Sequence, residues 1–329
     1  MGRVFESIAE LVGGTPLVRF SRFEKAAGAK GTILAKLEYF NPTSSTKDRI
    51  ALAMIEEAER QGKIKPGDTF SETTSGNTGI SLAALAAVKG YGFTTYIQDF
   101  VSKERKQVIR AYGAHLVNMG DVPQARKALE ESGGDFVAAT AAIKAMLSER
   151  GATVMDQMHN PQNPLSHFES TGQELWDDTD GKLDVLVAAV GTGGTVTGVG
   201  RYLKGKKAAV KVVAVQPKAD EREITGIHRF SDVDERHFPA NLDLSVVDEV
   251  VTVSASDAKR AAQAAARYEG TLVGSSSGAA LYAAVQVALR EEAEGKVIAA
   301  ILPDTGLRYL STGLFDEDEG ELARGEVAV

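Results

Sequence analysis

The sequence predicts an α/β fold in which helices cover mainly parallel sheets, and three observations carry that prediction. Strand-like and helix-like segments alternate from Thr32 to Arg150, and a second alternating block begins near Thr153 and runs to Leu302. The junctions from strand to helix are rich in glycine and small hydroxylated residues, as at Thr73 to Gly79 and Gly191 to Thr195. At 329 residues the chain is long enough for two domains sharing one cleft or for one large α/β domain.

Taken in order, Phe5 to Leu11 offers one or two helical turns, and Gly13-Gly14-Thr15-Pro16 turns into a short strand at Leu17-Val18. Thr32 to Phe40 alternates apolar positions as a strand does and stops at Asn41-Pro42. Lys47 to Gly62 reads as a helix whose Ile50, Leu52, Ala53, Met54, Ile55 and Ala58 are dense enough to be buried. Lys65-Pro66-Gly67-Asp68 is a tight turn before a strand over Thr69 to Glu72. Ile80 to Lys89 is apolar on nearly every face, as a core helix is. Strands at Phe93 to Gln98 and His115 to Asn118 flank a helix at Lys103 to Tyr112, and helices at Val122 to Ser132 and Phe136 to Arg150 end the first block. In the second block, Asn160 to Pro164 marks a turn, a helix lies around Glu169 to Trp176, and a strand covers Val185 to Val190. The helix after the glycine loop runs to Lys204, and a strand follows at Val210 to Gln216. Residues 217–245, with Pro217, Gly226 and Pro239, read as a long functional loop. An amphipathic helix, started by Ser254 or Ser256, extends to Tyr268. Gly274 to Gly278 caps a helix expected over Ala279 to Ala293, and the strand Val297 to Leu302 ends at Pro303.

Composition narrows the function. The net charge of −8 argues against nucleic acid or an anionic membrane as the main partner. The chain has no cysteine, which removes disulfides, thiolate metal sites and a cysteine nucleophile. Its five histidines are scattered without helical pair spacing, so no metal site is expected. No stretch is apolar for long enough to span a bilayer, and Met1 to Ile8 lacks an apolar core of signal-peptide length, so the expected location is the cytoplasm.

The chemistry-bearing stretches admit two readings each. Lys47 follows Thr43, Ser44, Ser45 and Thr46 and opens a buried helix. There the positive end of the helix dipole favours a neutral amine, the form that Schiff-base chemistry needs; otherwise Lys47 is a solvated lysine on a capped helix. Gly191-Thr192-Gly193-Gly194-Thr195 sits between an apolar strand and a helix, where backbone N–H groups hold a phosphate. It lacks the third glycine of a dinucleotide loop, the next strand ends without an acid for a ribose, and no P-loop pattern occurs. The loop therefore suits a single phosphate, or else is a structural turn. Thr74, Ser75 and Thr78, with the backbone amides around them, suit a carboxylate, and Asn77 offers an amide to a ring substituent; the plain alternative is a helix cap. Ser275, Ser276 and Ser277 likewise either cap a helix or face a ligand.

Five motifs in order change the balance. Asn41 to Arg49, Thr74 to Gly79, Gly191 to Thr195, Ser276-Ser277-Gly278, and Leu302 to Gly306 with Arg308 to Thr312 resemble the cysteine synthase (O-acetylserine sulfhydrylase) family. The resemblance runs from Gly14 to about Thr312. It implies a fold-type II enzyme, similar to the tryptophan synthase β subunit, that depends on pyridoxal 5′-phosphate and is built of two three-layer domains. Residues 42–152 would form the smaller, mobile domain, and residues 1–41 with 153–329 the larger, phosphate-binding one.

By that resemblance Lys47 would form the imine with the cofactor and shuttle the substrate's Cα proton, and Asn77 would bond the ring hydroxyl. Gly191, Thr192, Gly193, Gly194 and Thr195 would cradle the phosphate, while Ser276 would face the pyridine nitrogen. Thr74, Ser75, Thr78 and Gln157 would hold the substrate carboxylate. The implied reaction is β-replacement on O-acetylserine or O-phosphoserine by sulfide or a related sulfur nucleophile, giving L-cysteine by way of an aminoacrylate in a homodimer. Siblings with the same cofactor, namely cystathionine β-synthase, cyanoalanine synthase and diaminopropionate synthase, remain open. A non-catalytic nucleotide-binding or regulatory module that needs no Lys47 is the alternative of another class.

The sequence departs from the family at Thr73, where proline is frequent, at Met158, where phenylalanine is common, and over 119–140, which lacks the usual glycine-rich loop. Gly226-Ile227-His228-Arg229-Phe230 with Pro239 is nearer the B isozyme pattern. Arg229 is therefore expected either to draw an anionic sulfur donor to the site mouth or to pair with Asp232, Asp234 or Glu235 on the surface.

Overall fold

A computed structural model describes residues 4–74, 76–98, 103–219 and 224–316. In chain order the first elements are β1 (Leu17–Arg19), α1 (Ser21–Ala27), β2 (Thr32–Leu37), α2 (Lys47–Arg60), β3 (Thr69–Thr73), α3 (Asn77–Lys89) and β4 (Gly92–Ile97). Then come α4 (Lys103–Ala111), β5 (His115–Asn118), α5 (Pro123–Glu131), α6 (Phe136–Glu149), β6 (Thr153–Val154) and α7 (Gln162–Ser166). A π-helical segment at His167–Gly172 leads into α8 (Gln173–Asp178). The chain continues through β7 (Val185–Ala189), α9 (Gly194–Lys206), β8 (Lys211–Pro217), β9 (Glu249–Val253), α10 (Ala255–Glu269), α11 (Ser275–Ala288) and β10 (Val297–Leu302).

The described residues divide into two compact units. The smaller takes those within Met1–Val12, Lys47–Asn163 and Asp234–Phe238, and the larger those within Gly13–Thr46, Pro164–Val233 and Pro239–Val329. These bounds differ from a division at 42 and 152. The turn at Ile8–Leu11 groups with the smaller unit because Ala9 packs on its core, and the segment through Asn163 joins it because Met155 extends the pairing of β6 with β3.

The smaller unit holds a four-stranded parallel sheet ordered β5-β4-β3-β6. Ile50, Met54 and Ile55 of α2 and Ile80, Leu82 and Leu85 of α3 bury against Phe70 and Phe93. A second cluster, with Ile143, Met146 and Leu147 of α6 against Tyr96 and Met119, completes its core. The larger unit holds a six-stranded sheet ordered β1-β2-β10-β7-β8-β9, parallel except for β1 against β2. β7 and β10 are nearly continuous apolar runs because strands covered on both faces bury every side chain. α10 and α11 pack closely through alanines, and a Cβ at Gly278 would strike the carbonyl of Ala258.

Three differences from the sequence reading have local causes. α11 begins at Ser275 rather than Ala279, because Gly274 is the N-cap and the serines form the first turn; it ends at Ala288, before a separate turn at Glu291–Ala293. The helix expected around Glu169 to Trp176 is the end of a longer run from Gln162, widened by the π turn. α1 and β9 carried no expectation: α1 has only seven residues, and β9 is an edge strand of alternating exposure.

Candidate functional site

Each unit carries part of the expected site. In the larger unit, Asn41 to Thr46 is pinned to the segment after β10. Thr46 N–H donates to Pro303 O at 2.8 Å, Thr305 N–H donates to Ser44 O at 3.3 Å, and Ser45 bridges Asp304. Arg308 reaches the carbonyl of Thr43. Ser44 takes a left-handed φ of 59° within this hook. The Thr46 hydroxyl is buried without a hydrogen-bond partner among the described residues. The next residue in the chain is Lys47, the first of α2.

The glycine loop leaves the C-terminal end of β7 and runs into α9. Gly193 is the N-cap, with φ of 86° and no side chain to cap with, and the N–H of Gly194 donates to the Thr192 hydroxyl at 3.4 Å. A Cβ at Gly193 would lie 2.5 Å from the Leu242 nitrogen, and one at Gly191 would collide with the Gly226 carbonyl. Backbone has taken the room that side chains would need. Behind the loop, His167 is fully buried; its Nε2 lies 3.2 Å from the Thr195 hydroxyl and its Nδ1 2.9 Å from that of Thr171.

Gly226 to Phe230 is held to the same end of the sheet. His228 N–H donates to Val190 O at 2.8 Å, and Ile227 and Phe230 are buried. Gln216, at the end of β8, accepts the N–H groups of Phe230 and Ser231, both at 3.1 Å. Arg229 pairs with the exposed Asp232 at 3.3 Å, the surface pairing weighed above. Ser275 accepts the N–H of Thr225 at 3.1 Å, and Ser276 is buried in the first turn of α11.

In the smaller unit, Lys47 and Asn77 each open a helix, α2 and α3. Thr74 is fixed between neighbours: its N–H donates to Tyr96 O at 3.1 Å and its carbonyl accepts the Thr95 hydroxyl at 2.7 Å. The Thr78 hydroxyl, in the first turn of α3, donates to Gln157 Oε1 at 2.5 Å and so brings these two residues together. Asp156, just before Gln157, has a φ of 53°. Ser75 lies outside the described residues.

Three residues without sequence expectations support this set: Glu72 under Gln157, His167 under Thr195, and Gln216 under Phe230. Only Glu72 left a local trace, as a carboxylate on a strand directly before the Thr73 to Gly79 motif.

Among the described residues no helix is long and apolar enough to cross a membrane, and no cluster of histidine and acidic side chains could hold a metal. The donors that are present fit pyridoxal phosphate. A helix N-terminus with glycine as its N-cap, and two glycines that tolerate no Cβ, suit its phosphate. A serine rather than an acid stands at the start of α11, and a lysine opens α2 beside a buried, unpartnered hydroxyl.

Comparison with known proteins agrees. Cysteine synthase A of Escherichia coli (strain K12) is 40% identical over 326 residues, covering 96% of this chain and 97% of that protein. A cysteine synthase of Staphylococcus aureus is 40% identical over 318 residues, 95% of this chain and 98% of that one. The crystal structure of O-acetylserine sulfhydrylase isoform 3 from Entamoeba histolytica matches with a TM-score of 0.83 at 38% identity, over 96% of this chain and 93% of that one. The family model for pyridoxal-phosphate dependent enzymes matches residues 8–304, a span that holds the lysine, both hydroxyl-rich loops and the glycine loop in one order; the chain belongs to that family.

Proposed function

We propose that this enzyme carries out β-replacement on an O-activated L-serine, with sulfide as nucleophile, and releases L-cysteine. The observation that carries the reading is near-full-length similarity, at 40% identity, to cysteine synthases. Pyridoxal phosphate, when bound, draws electrons from the Cα of an attached amino acid, so that its proton and then a β-leaving group are lost more easily.

The chain's own residues supply the rest. Lys47 would hold the cofactor through its Nζ and would take the proton from the substrate's Cα. N–H groups from Thr192 to Thr195 hold the phosphate at the positive end of α9. Asn77 donates from its amide to the ring hydroxyl. Ser276 would face the pyridine nitrogen without the charge an aspartate would bring, leaving the ring a weaker electron sink. Thr74, Ser75, Thr78 and Gln157 fix the substrate carboxylate. The enzyme works as a homodimer in the cytoplasm, and a sedimenting species of one chain's mass would count against that assembly.

Borohydride treatment of the holoenzyme should fix the cofactor to the peptide containing Lys47, and O-acetylserine with sulfide should yield cysteine. Labelling at another lysine, or no cysteine from O-acetylserine or O-phosphoserine, sinks the reading. Arg229 selects among nucleophiles: its bond to exposed Asp232 is worth little and can be exchanged for an anionic sulfur donor. Arg229→Ala should slow turnover with thiosulfate about 5-fold or more and leave sulfide nearly unaffected. Equal losses with both donors would remove Arg229 from this role.

A further inference from the structure

Glu72, the penultimate residue of β3, has only 2% of its surface exposed, and it is an acidic residue that the reaction itself does not use. Its two oxygens face two different loops. Oε1 accepts the N–H of Thr73 at 2.9 Å, where the chain leaves the strand for the Thr74 to Gly79 loop. Oε2 accepts the N–H of Gln157 at 3.1 Å, from a residue 85 positions further along the chain. The link closes above, where the Thr78 hydroxyl donates to the Gln157 side chain. Asn163 holds the Gln157 carbonyl from the other side at 2.8 Å. We propose that Glu72 is a positioning residue for the substrate carboxylate, a clamp whose two oxygens set the spacing between the end of β3, at Thr73 and Thr74, and Gln157. The proposal rests on the reading that these residues bind that carboxylate.

A clamp of this kind depends on charge. Ionised, Glu72 accepts both N–H groups; protonated, one of its oxygens becomes a donor and meets an N–H instead. Burial pushes the Glu72 carboxyl up to about 7, against the lowering effect of its two backbone donors. Asp156 adds to the rise and Lys144 opposes it. Those two pair with each other at 2.5 Å, and His159 joins Asp156 at 3.0 Å. The clamp therefore tightens as pH rises through neutrality. Stability runs the other way. Because the folded carboxyl titrates above its ordinary value, its contribution is fully present in acid and is lost as pH rises from 4.5 to about 7.

The test uses Glu72→Gln, which keeps the shape but can accept only one of the two N–H groups. In the holoenzyme, KM for the amino-acid substrate should rise about 10-fold while KM for sulfide stays put. The neutral-pH limb in kcat/KM for the amino acid should disappear in E72Q but persist in His159→Gln, which removes the imidazole paired with Asp156. In cofactor-free protein, the wild-type Tm should fall relative to E72Q as pH rises from about 5 to about 7.5, a readout independent of turnover. Thr73→Pro removes one donor without touching Glu72, and should raise the same KM about 3-fold or more. Wild-type kinetics in either E72Q or T73P, or a pH-independent Tm difference, overturns the clamp and leaves the reaction standing. A wild-type protein that makes no cysteine overturns the reaction, and the clamp with it.

Discussion

At Ser275, Ser276 and Ser277 three consecutive hydroxyls enter three different environments, although the sequence offers no way to rank them. Ser275 accepts a backbone N–H from Thr225 and so ties the Gly226 to Phe230 segment to α11. Ser277 Oγ is buried with no partner among the described residues. Ser276 is the one matched to the pyridine nitrogen by family resemblance. Ser275→Ala should cost about 1 kcal/mol, because it leaves a backbone donor unmet, whereas Ser277→Ala should be neutral or slightly stabilising. Ser276→Asp should keep the cofactor but slow turnover about 10-fold or more, since a carboxylate's charge would hold the ring nitrogen in its protonated form. Thermal unfolding and the cofactor's absorbance separate these outcomes; three equal responses would mean that all three serines only build the helix.

At the scale of elements, the glycine loop shows what a turn must exclude before it can bind. Gly193→Ala should strain a left-handed residue by about 1–2 kcal/mol and push its Cβ into the backbone of Leu242. The expected result is cofactor loss on dialysis with the rest of the fold intact, and a variant that retains cofactor as firmly as wild type would contradict it. This loop was legible from sequence because glycine at a strand-to-helix junction is a local signal, as was Lys47 at the opening of a buried helix. Glu72, His167 and Gln216 were not legible as supports, because each acts on a residue that is distant in sequence and only the fold makes them neighbours. β9 escaped notice for a different reason. Its side chains alternate between half-buried and exposed at a sheet edge, which blurs the apolar run that marked β7 and β10. The π turn at His167–Gly172 also leaves little trace, since it differs from an α-helix by one residue per turn.

For the whole molecule, the neighbours in each sheet matter more than the number of strands. The larger unit is held partly by polar groups that span its length. Lys36, with no exposed surface, donates to Thr15 O and pairs with Glu174 and Asp178, joining β2 to α8. Its sheet places β10 between β2 and β7, so the last strand in sequence fills a central position. During synthesis β2 is finished about 260 residues before β10 begins, and at ribosomal speeds of about 5–20 residues per second that interval is roughly 13–50 s. For that time the antiparallel pair of β1 and β2 carries an unpaired apolar edge, and once β7 is made it too has an open flank where β10 belongs. The smaller unit has no such wait, because all four of its strands are complete by Val154. Translation therefore completes the sheet of the lysine-bearing unit first and leaves that of the unit with the glycine loop in need of protection until β10 emerges.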